Sequence, residues 1–352
     1  MRKKRTFDIC SFIKNTFFGI AICIAVIAAA KLYIKNTGTK SVFAGNEIYT
    51  ENTFAAVDSQ PKPVYTETLS REELALQPET DINISKAEKP VLGDTDMEKL
   101  KNFDYLKRSF YTVDSRTQLF QTDIDVGRFA SMDLSVNKNT GGPKVLIFHT
   151  HASEMYSDSD SSKGISEGVW GVGEELKRLL EARGIATMHD SGIYDAVDGK
   201  RQVLGAYERM EPNIERILKD NPSIEVCIDM HRDGVGENVR LVQDVNGKTC
   251  ANVMFFNGLC RLNENGTAND IPSLPNPYLD TNLAMSFRLK LACDSLYPAF
   301  ARRIYINAYR YSLNMKPKSM LIEVGAQTNT KEEAINAMTP LSEALSSILL
   351  AE

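Results

Sequence analysis

No CxxC pair occurs among the six cysteines, Cys10, Cys23, Cys227, Cys250, Cys260 and Cys293. That removes a thiolate zinc site and a thioredoxin-like redox motif from consideration. Cys227 lies inside an apolar run, and the cysteines as a set are expected to be buried or free thiols. A Cys250–Cys260 bridge is the alternative in an oxidising compartment. Basic residues are in no excess either: 41 Lys+Arg stand against 46 Asp+Glu, a formal net charge of −5. A balance of that sign argues against nucleic acid as a partner. No internal repeat is visible, and histidine is scarce, with only four in 352 residues. What is present is the composition of a folded protein, 43% hydrophobic and 25% charged, which excludes wholesale disorder.

One stretch near the start is strongly apolar. Thr16 to Ala30 reads TFFGIAICIAVIAAA without a charge, and Leu32-Tyr33-Ile34 follow Lys31. With Lys31 snorkelling, about 18 positions can lie in hydrocarbon, near the lower limit for a spanning helix. Arg2, Lys3, Lys4, Arg5 and Lys14 precede it against a single Asp8. This asymmetry places residues 1–15 in the cytoplasm, 16–34 across the cytoplasmic membrane as a single pass, and everything later outside. A cleaved signal peptide ending at Ala28-Ala29-Ala30 is the competing reading. Residues 35–99 are polar and aperiodic, as in KNTGTKS and DSQPKPVYTET, and bury too little apolar area to offset chain entropy. They are expected to form a tether, with a short ordered piece near Leu74–Leu76. A flexible linker of about 60 residues has an r.m.s. reach of about 40–45 Å, which lets an anchored domain work well beyond the bilayer.

Residues 100–352 alternate strand and helix patterns. Lys144–Thr150 (KVLIFHT) and Ile224–Met230 (IEVCIDM) are continuous apolar runs, the mark of strands covered on both faces. Gly168–Arg183 carries a helical stripe ended by Gly184, and Ile185–His189 resembles a strand. Ala206–Lys219 reads as helix despite Pro212. Val239–Gln243 and Asn252–Phe256 are predicted strands joined by a DVNGK turn. Asn282–Leu296 is a predicted helix, Ser319–Val324 a strand, and Lys331–Leu350 the closing helix. The predicted fold is an α/β three-layer sandwich around a mostly parallel sheet.

In open α/β sheets ligands bind beyond the carboxyl ends of the strands. His151 closes the first strand, His231 closes IEVCIDMH, and Glu323 lies near the end of SMLIEVG. Two neutral imidazoles and a carboxylate make a three-ligand catalytic Zn2+ site with one position left for water. Glu154, at H-x-x-E spacing from His151, and Glu174, at the head of the next helix, are rival third ligands. Glu323 suits a general base and acid that moves the water proton to a leaving amine. Taken singly these signals are weak. His149 shares a strand face with His151 and competes with it, although one step deeper in the strand it is expected to be a buried, hydrogen-bonded support. His189 is expected to be a satisfied strand-end histidine, and Trp170, the only tryptophan, a helix-core residue. Arg232 and Asp233 can either orient substrate or form a surface ion pair.

HTHASEMY (149–156), VGEEL (172–176), GIATMHD (184–190), IDMHRDG (228–234) and MLIEVGAQTNTKEEA (320–334) resemble the stage II sporulation protein P family (SpoIIP) over about residues 105–352. The strand-end histidines and the L-x-E-x-G strand more distantly resemble zinc-dependent N-acetylmuramoyl-L-alanine amidases and, through H-x-x-E, zinc carboxypeptidases. The resemblance implies a membrane-anchored peptidoglycan hydrolase, amidase and cross-link endopeptidase, acting in septal remodelling and forespore engulfment. It further implies a SpoIID-like lytic transglycosylase and other engulfment membrane proteins as partners. It maps the ligands onto His151 and His231 and the catalytic carboxylate onto Glu323. The HTHxxE motif selects Glu154 as the third ligand. The amidase Asp-Pro-Gly-His-Gly-Gly loop is absent, which keeps Glu174 as the alternative. A carboxypeptidase-like wall peptidase, with Arg232 or Arg240 for a terminal carboxylate, and a non-catalytic wall-binding scaffold are the other readings.

Overall fold

The computed structural model describes residues 94–264 and 266–351. The expected cytoplasmic tail, membrane helix and tether up to residue 93 lie outside the described residues. No helix among the described residues is long and apolar enough to cross a membrane.

The chain runs through α1 (Asp94–Leu100), α2 (Phe103–Phe110), β1 (Tyr111–Val113), α3 (Val126–Ser131), β2 (Val145–Phe148), α4 (Val169–Ala182) and β3 (Thr187–His189). It continues with α5 (Ala206–Asp220), β4 (Val226–Asp233), β5 (Val253–Gly258), α6 (Leu279–Leu296), β6 (Ile304–Asn307), β7 (Ser319–Ala326), α7 (Lys331–Asn336) and α8 (Met338–Leu349). Helix α1 begins within the last residues of the expected tether. Caps set several starts: the Asn102 and Asp125 side chains accept from the backbone N–H three residues on, and Thr330 with Glu333 closes a capping box.

The strands form one seven-stranded sheet in the order β1-β6-β5-β7-β4-β2-β3. Every pairing is parallel except that of β5 with β7. The mostly parallel α/β sheet expected from the sequence is therefore present, built as two parallel blocks running in opposite directions and joined at the β5–β7 seam. The carboxyl ends of β2, β4 and β7 consequently share one edge of the sheet.

Alternation along the strands divides the two faces. Val226, Ile228 and Met230 of β4, with Met320, Ile322 and Val324 of β7, face the large core that also contains buried residues of α4, α6 and α8. Each such side chain contributes about 1.5–3 kcal/mol on burial. Leu146, Phe148 and Cys227 face the other way and pack on Met210 and Ile214 of α5. That second face also carries Asp229, His231 and Glu323, so the polar residues sit between α5 and the sheet edge.

Some predicted elements differ. Residues 242–251 form a hairpin of their own, Val242–Val245 against Lys248–Ala251. Asn246 and Gly247 take φ of 53° and 79°, the paired left-handed turn that an Asn-Gly step favours. The strand predicted from Val239 therefore starts at Val242, and the one predicted from Asn252 belongs to the main sheet. The closing helix is two helices, since Pro340 has no N–H for the Asn336 carbonyl and α8 starts afresh at Met338. Pro212 sits inside a continuous α5. Cys227, Cys250, Cys260 and Cys293 are buried and free, so the Cys250–Cys260 bridge does not form.

Candidate metal centre

Strand β2 delivers the chain to the sheet edge, and a tight turn follows, in which Glu154 N–H donates to the His151 carbonyl at 3.1 Å. Two buried carboxylates hold this turn. Asp229 on β4 accepts from Thr150 N–H at 2.9 Å and from the Thr150 hydroxyl at 2.7 Å. Asp195 accepts from Ser153 N–H at 3.2 Å and from the Ser153 hydroxyl. On the far side, Arg232 Nε donates to the Met155 carbonyl at 2.9 Å, and the Tyr156 hydroxyl donates to the Val324 carbonyl at 3.1 Å. The turn is thereby fixed to both β4 and β7. Gly168 permits the closest approach: a Cβ there would stand 2.1 Å from the Glu154 carbonyl oxygen, where α4 begins.

The turn brings His151 and Glu154 against His231. Ligand-type atoms of these residues all lie within 4.8 Å of one another. Glu154 Oε1 is 3.7 Å from His151 Nδ1, and Oε2 is 3.5 Å from His231 Nδ1. A tetrahedral zinc with bonds of about 2.0–2.1 Å sets its ligands about 3.3–3.4 Å apart, so two imidazoles and a carboxylate at these separations fit such an ion. The other ring nitrogen of His231, Nε2, lies 2.8 Å from Asp229 Oδ1, an ion-pair distance off the line of a hydrogen bond. Nδ1 is thus the His231 nitrogen turned towards Glu154.

The electrostatics agree with a cation-seeking site. Burial pushes the Glu154 carboxyl up, but His151 and His231 together hold it well below its ordinary range. Burial pushes the His231 imidazole down, and Asp229 and Glu154 more than reverse that, raising it well above its ordinary value.

Glu323 stands opposite His231 in the parallel β7–β4 register, immediately before the register shifts ahead of Ala326. Adjacent strands lie about 4.8 Å apart, which sets this carboxyl beside the cluster. Burial first, then the charges of Glu154 and Asp233, raise it to about 8 against the lowering effect of His231 and Arg232. Its Oε2 is buried without a hydrogen-bond partner. A buried acid raised in this way and left without a partner is a candidate for proton chemistry.

His149 and Glu174 stand apart in a second cluster. His149 Nδ1 donates to the Met230 carbonyl at 2.8 Å, and its Nε2 lies 2.9 Å from His189 Nε2. Burial and His189 bring the His149 imidazole down to about 3, so the ring is neutral and its Nε2 accepts. His189 Nδ1 in turn meets Glu174 Oε2 at 2.8 Å. Trp170 stacks on His189 at 4.6 Å and donates its indole N–H to the Asp190 carbonyl. Gly173 gives the imidazoles room, since a Cβ there would lie 2.6 Å from His149 Nε2. His149 is therefore buried with both ring nitrogens partnered, while Glu174, the rival third ligand, is engaged with His189.

Arg232 is positioned by the same turn, with its backbone N–H donating to Glu154 Oε2 at 3.0 Å and Nη1 reaching the Asp233 carbonyl at 3.4 Å. Arg240 pairs with Glu333. Asp195, Asp229 and Tyr207 went unnoticed in the sequence. Only Asp229 left a signal there, an acid in an otherwise apolar strand two residues before His231.

The sequence profile of the family described as Stage II sporulation protein P (SpoIIP) matches residues 39–346. The chain belongs to the stage II sporulation protein P family. It is 24% identical over 225 residues to Stage II sporulation protein P of Bacillus subtilis (strain 168), covering 59% of this chain and 52% of that one. This member thus spans about half the length of that curated relative. Solved structures similar to it include the CwlD amidase from Clostridioides difficile in complex with the GerS lipoprotein, at 14% identity over 58% of this chain and 94% of that one, TM-score 0.35. Another is the N-acetylmuramoyl-L-alanine amidase AmiC2 of Nostoc punctiforme, at 13% identity over 60% and 97%, TM-score 0.34. At those scores the likenesses transfer no residue role or activity to this family member.

Proposed function

We propose that this protein is a zinc-dependent peptidoglycan hydrolase, an N-acetylmuramoyl-L-alanine amidase that also cuts peptide cross-links. The observation that carries the reading is the convergence of His151, Glu154 and His231 with Glu323 in register beside His231. Membership of the sporulation family supports the setting, septal peptidoglycan during engulfment of the forespore. The proposal includes an anchor at residues 16–34, a tether over 35–99, the catalytic domain on the outer side of the cytoplasmic membrane, and a SpoIID-like lytic transglycosylase as partner.

His151, Glu154 and His231 would hold the metal, which when bound supplies a Lewis acid and lowers the pKa of water to about 7. Asp229 orients His231, and the Thr150 and Ser153 clamps keep the H-x-x-E turn rigid. Glu323 takes the proton from the attacking water and returns it to the departing amine nitrogen. A carboxyl raised to about 8 is matched to holding and releasing a proton near neutral pH. The test is a mass-spectrometric digest of purified peptidoglycan with and without a zinc chelator. Metal-dependent release of stem peptides from muramic acid supports the amidase, and loss of cross-linked dimers supports the endopeptidase. An untouched wall that still pellets with the protein supports a binding scaffold instead.

A further inference from the structure

Tyr207 occupies the first turn of α5, on the side of the sheet that carries Asp229, His231 and Glu323. Its ring meets His151 edge-on at 5.7 Å and Tyr311 at 5.6 Å, and it packs against the cluster of Phe148, Cys227 and Met210. The ring is therefore held from three sides. Among the described residues nothing accepts a hydrogen bond from its hydroxyl. A phenol is protonated at neutral pH, so this hydroxyl can donate to an anion.

Amide hydrolysis needs such a donor. Attack of the water oxygen forms a C–O bond while the carbonyl π pair moves onto oxygen, and the water proton passes to Glu323. Collapse restores the carbonyl, breaks the C–N bond and returns that proton to nitrogen, giving a carboxylic acid and an amine. Between the two steps a full negative charge sits on oxygen among the carboxyls of Glu154, Asp229 and Glu323. The neighbouring cationic side chains are engaged elsewhere. Arg232 donates to the Met155 and Asp233 carbonyls, and Arg302 pairs with Asp233 at 2.6 Å. The Tyr207 hydroxyl, on the ring that meets His151, has no such acceptor among the described residues.

We propose that the Tyr207 hydroxyl donates a hydrogen bond to the oxyanion of the tetrahedral intermediate and is a catalytic residue of this site. The proposal rests on the amidase reading above. Removing one such donor lowers turnover by about 100-fold. The variant is Tyr207→Phe in the full, detergent-solubilised chain, which keeps the ring against His151. Zinc content, kcat, KM and calorimetric affinity for a muramyl phosphinate, a tetrahedral anionic analogue, are measured beside wild type.

The expected result is a fall of about 100-fold in kcat and in phosphinate affinity, with KM and zinc content unchanged. Tyr311→Phe, one ring further out, is expected to keep both within about twofold, because its ring meets Tyr207 and Phe256 rather than the histidines. Unchanged kcat in Tyr207→Phe overturns the proposal, as does loss of zinc or an equal loss in Tyr311→Phe. If wild type releases no stem peptides, the amidase reading fails separately. The phosphinate arm then still decides, since wild-type protein that does not bind it, or a variant that binds it equally, removes the role from Tyr207.

Discussion

Two clusters of two histidines and a glutamate stand on the same short segment, with His149 in one and His151 in the other, yet their geometry is opposite. In the inner cluster His149, His189 and Glu174 touch directly at 2.8–2.9 Å. Each imidazole nitrogen already has a partner, and Trp170 stacks on the pair. In the outer cluster the carboxylate stands 3.5 and 3.7 Å from its two imidazoles, and their unpaired faces converge. On the proposed reading, residue type alone does not tell an ion site from a polar strut. What separates a polar strut from an ion site is whether the donors satisfy one another or leave a gap that a cation closes.

The comparison predicts the largest effects in the outer cluster. His231→Ala abolishes zinc binding and turnover together, read by elemental analysis and by stem-peptide release. Glu323→Ala keeps zinc and loses about 100-fold or more of turnover, the scale of general acid–base catalysis. Zinc-free Glu323→Ala protein, or an active one, contradicts the division between ligand and proton carrier. In the inner cluster His189→Gln keeps zinc and lowers unfolding free energy by about 1–3 kcal/mol, the cost of stranding buried partners. Urea titration checks it, and zinc loss in this variant would erase the distinction between the clusters.

The smallest effect concerns pH. The hydrogen bond from His189 holds the Glu174 carboxyl below its ordinary 4.5, against burial. A depressed acid contributes stability that is fully present above about 4.5 and is lost as pH falls through its folded value. Glu174→Gln should therefore show a shallower decline of thermal midpoint than wild type as pH falls below 4.5. Parallel declines would mean that Glu174 carries no charge in this contact.

Much of this was legible in the sequence. The apolar runs ending in His151, His231 and Glu323 located the sheet edge, whereas H-x-x-E spacing left Glu154 and Glu174 as rivals and only the family motif favoured Glu154. Period-2 geometry placed His149 and His151 on one face, yet it could not show that a turn begins after Phe148 and carries the two imidazoles to different neighbours. The antiparallel seam was hidden because pairing direction depends on connections, and β5 and β7 are separated by more than sixty residues. Strands β1 and β6 are three and four residues long, too short for any periodicity to register. Tyr207 was hidden for another reason: a tyrosine at a helix start has no pattern, and only packing against His151 gives it meaning.

The most direct measurement is zinc titration of the purified chain and four variants, with X-ray absorption at the zinc edge. One zinc per chain with two imidazole ligands is expected, retained in His149→Ala and Glu174→Gln and lost in His151→Ala and Glu154→Ala. Zinc retained by Glu154→Ala and lost from Glu174→Gln would contradict it and move the metal to the inner cluster.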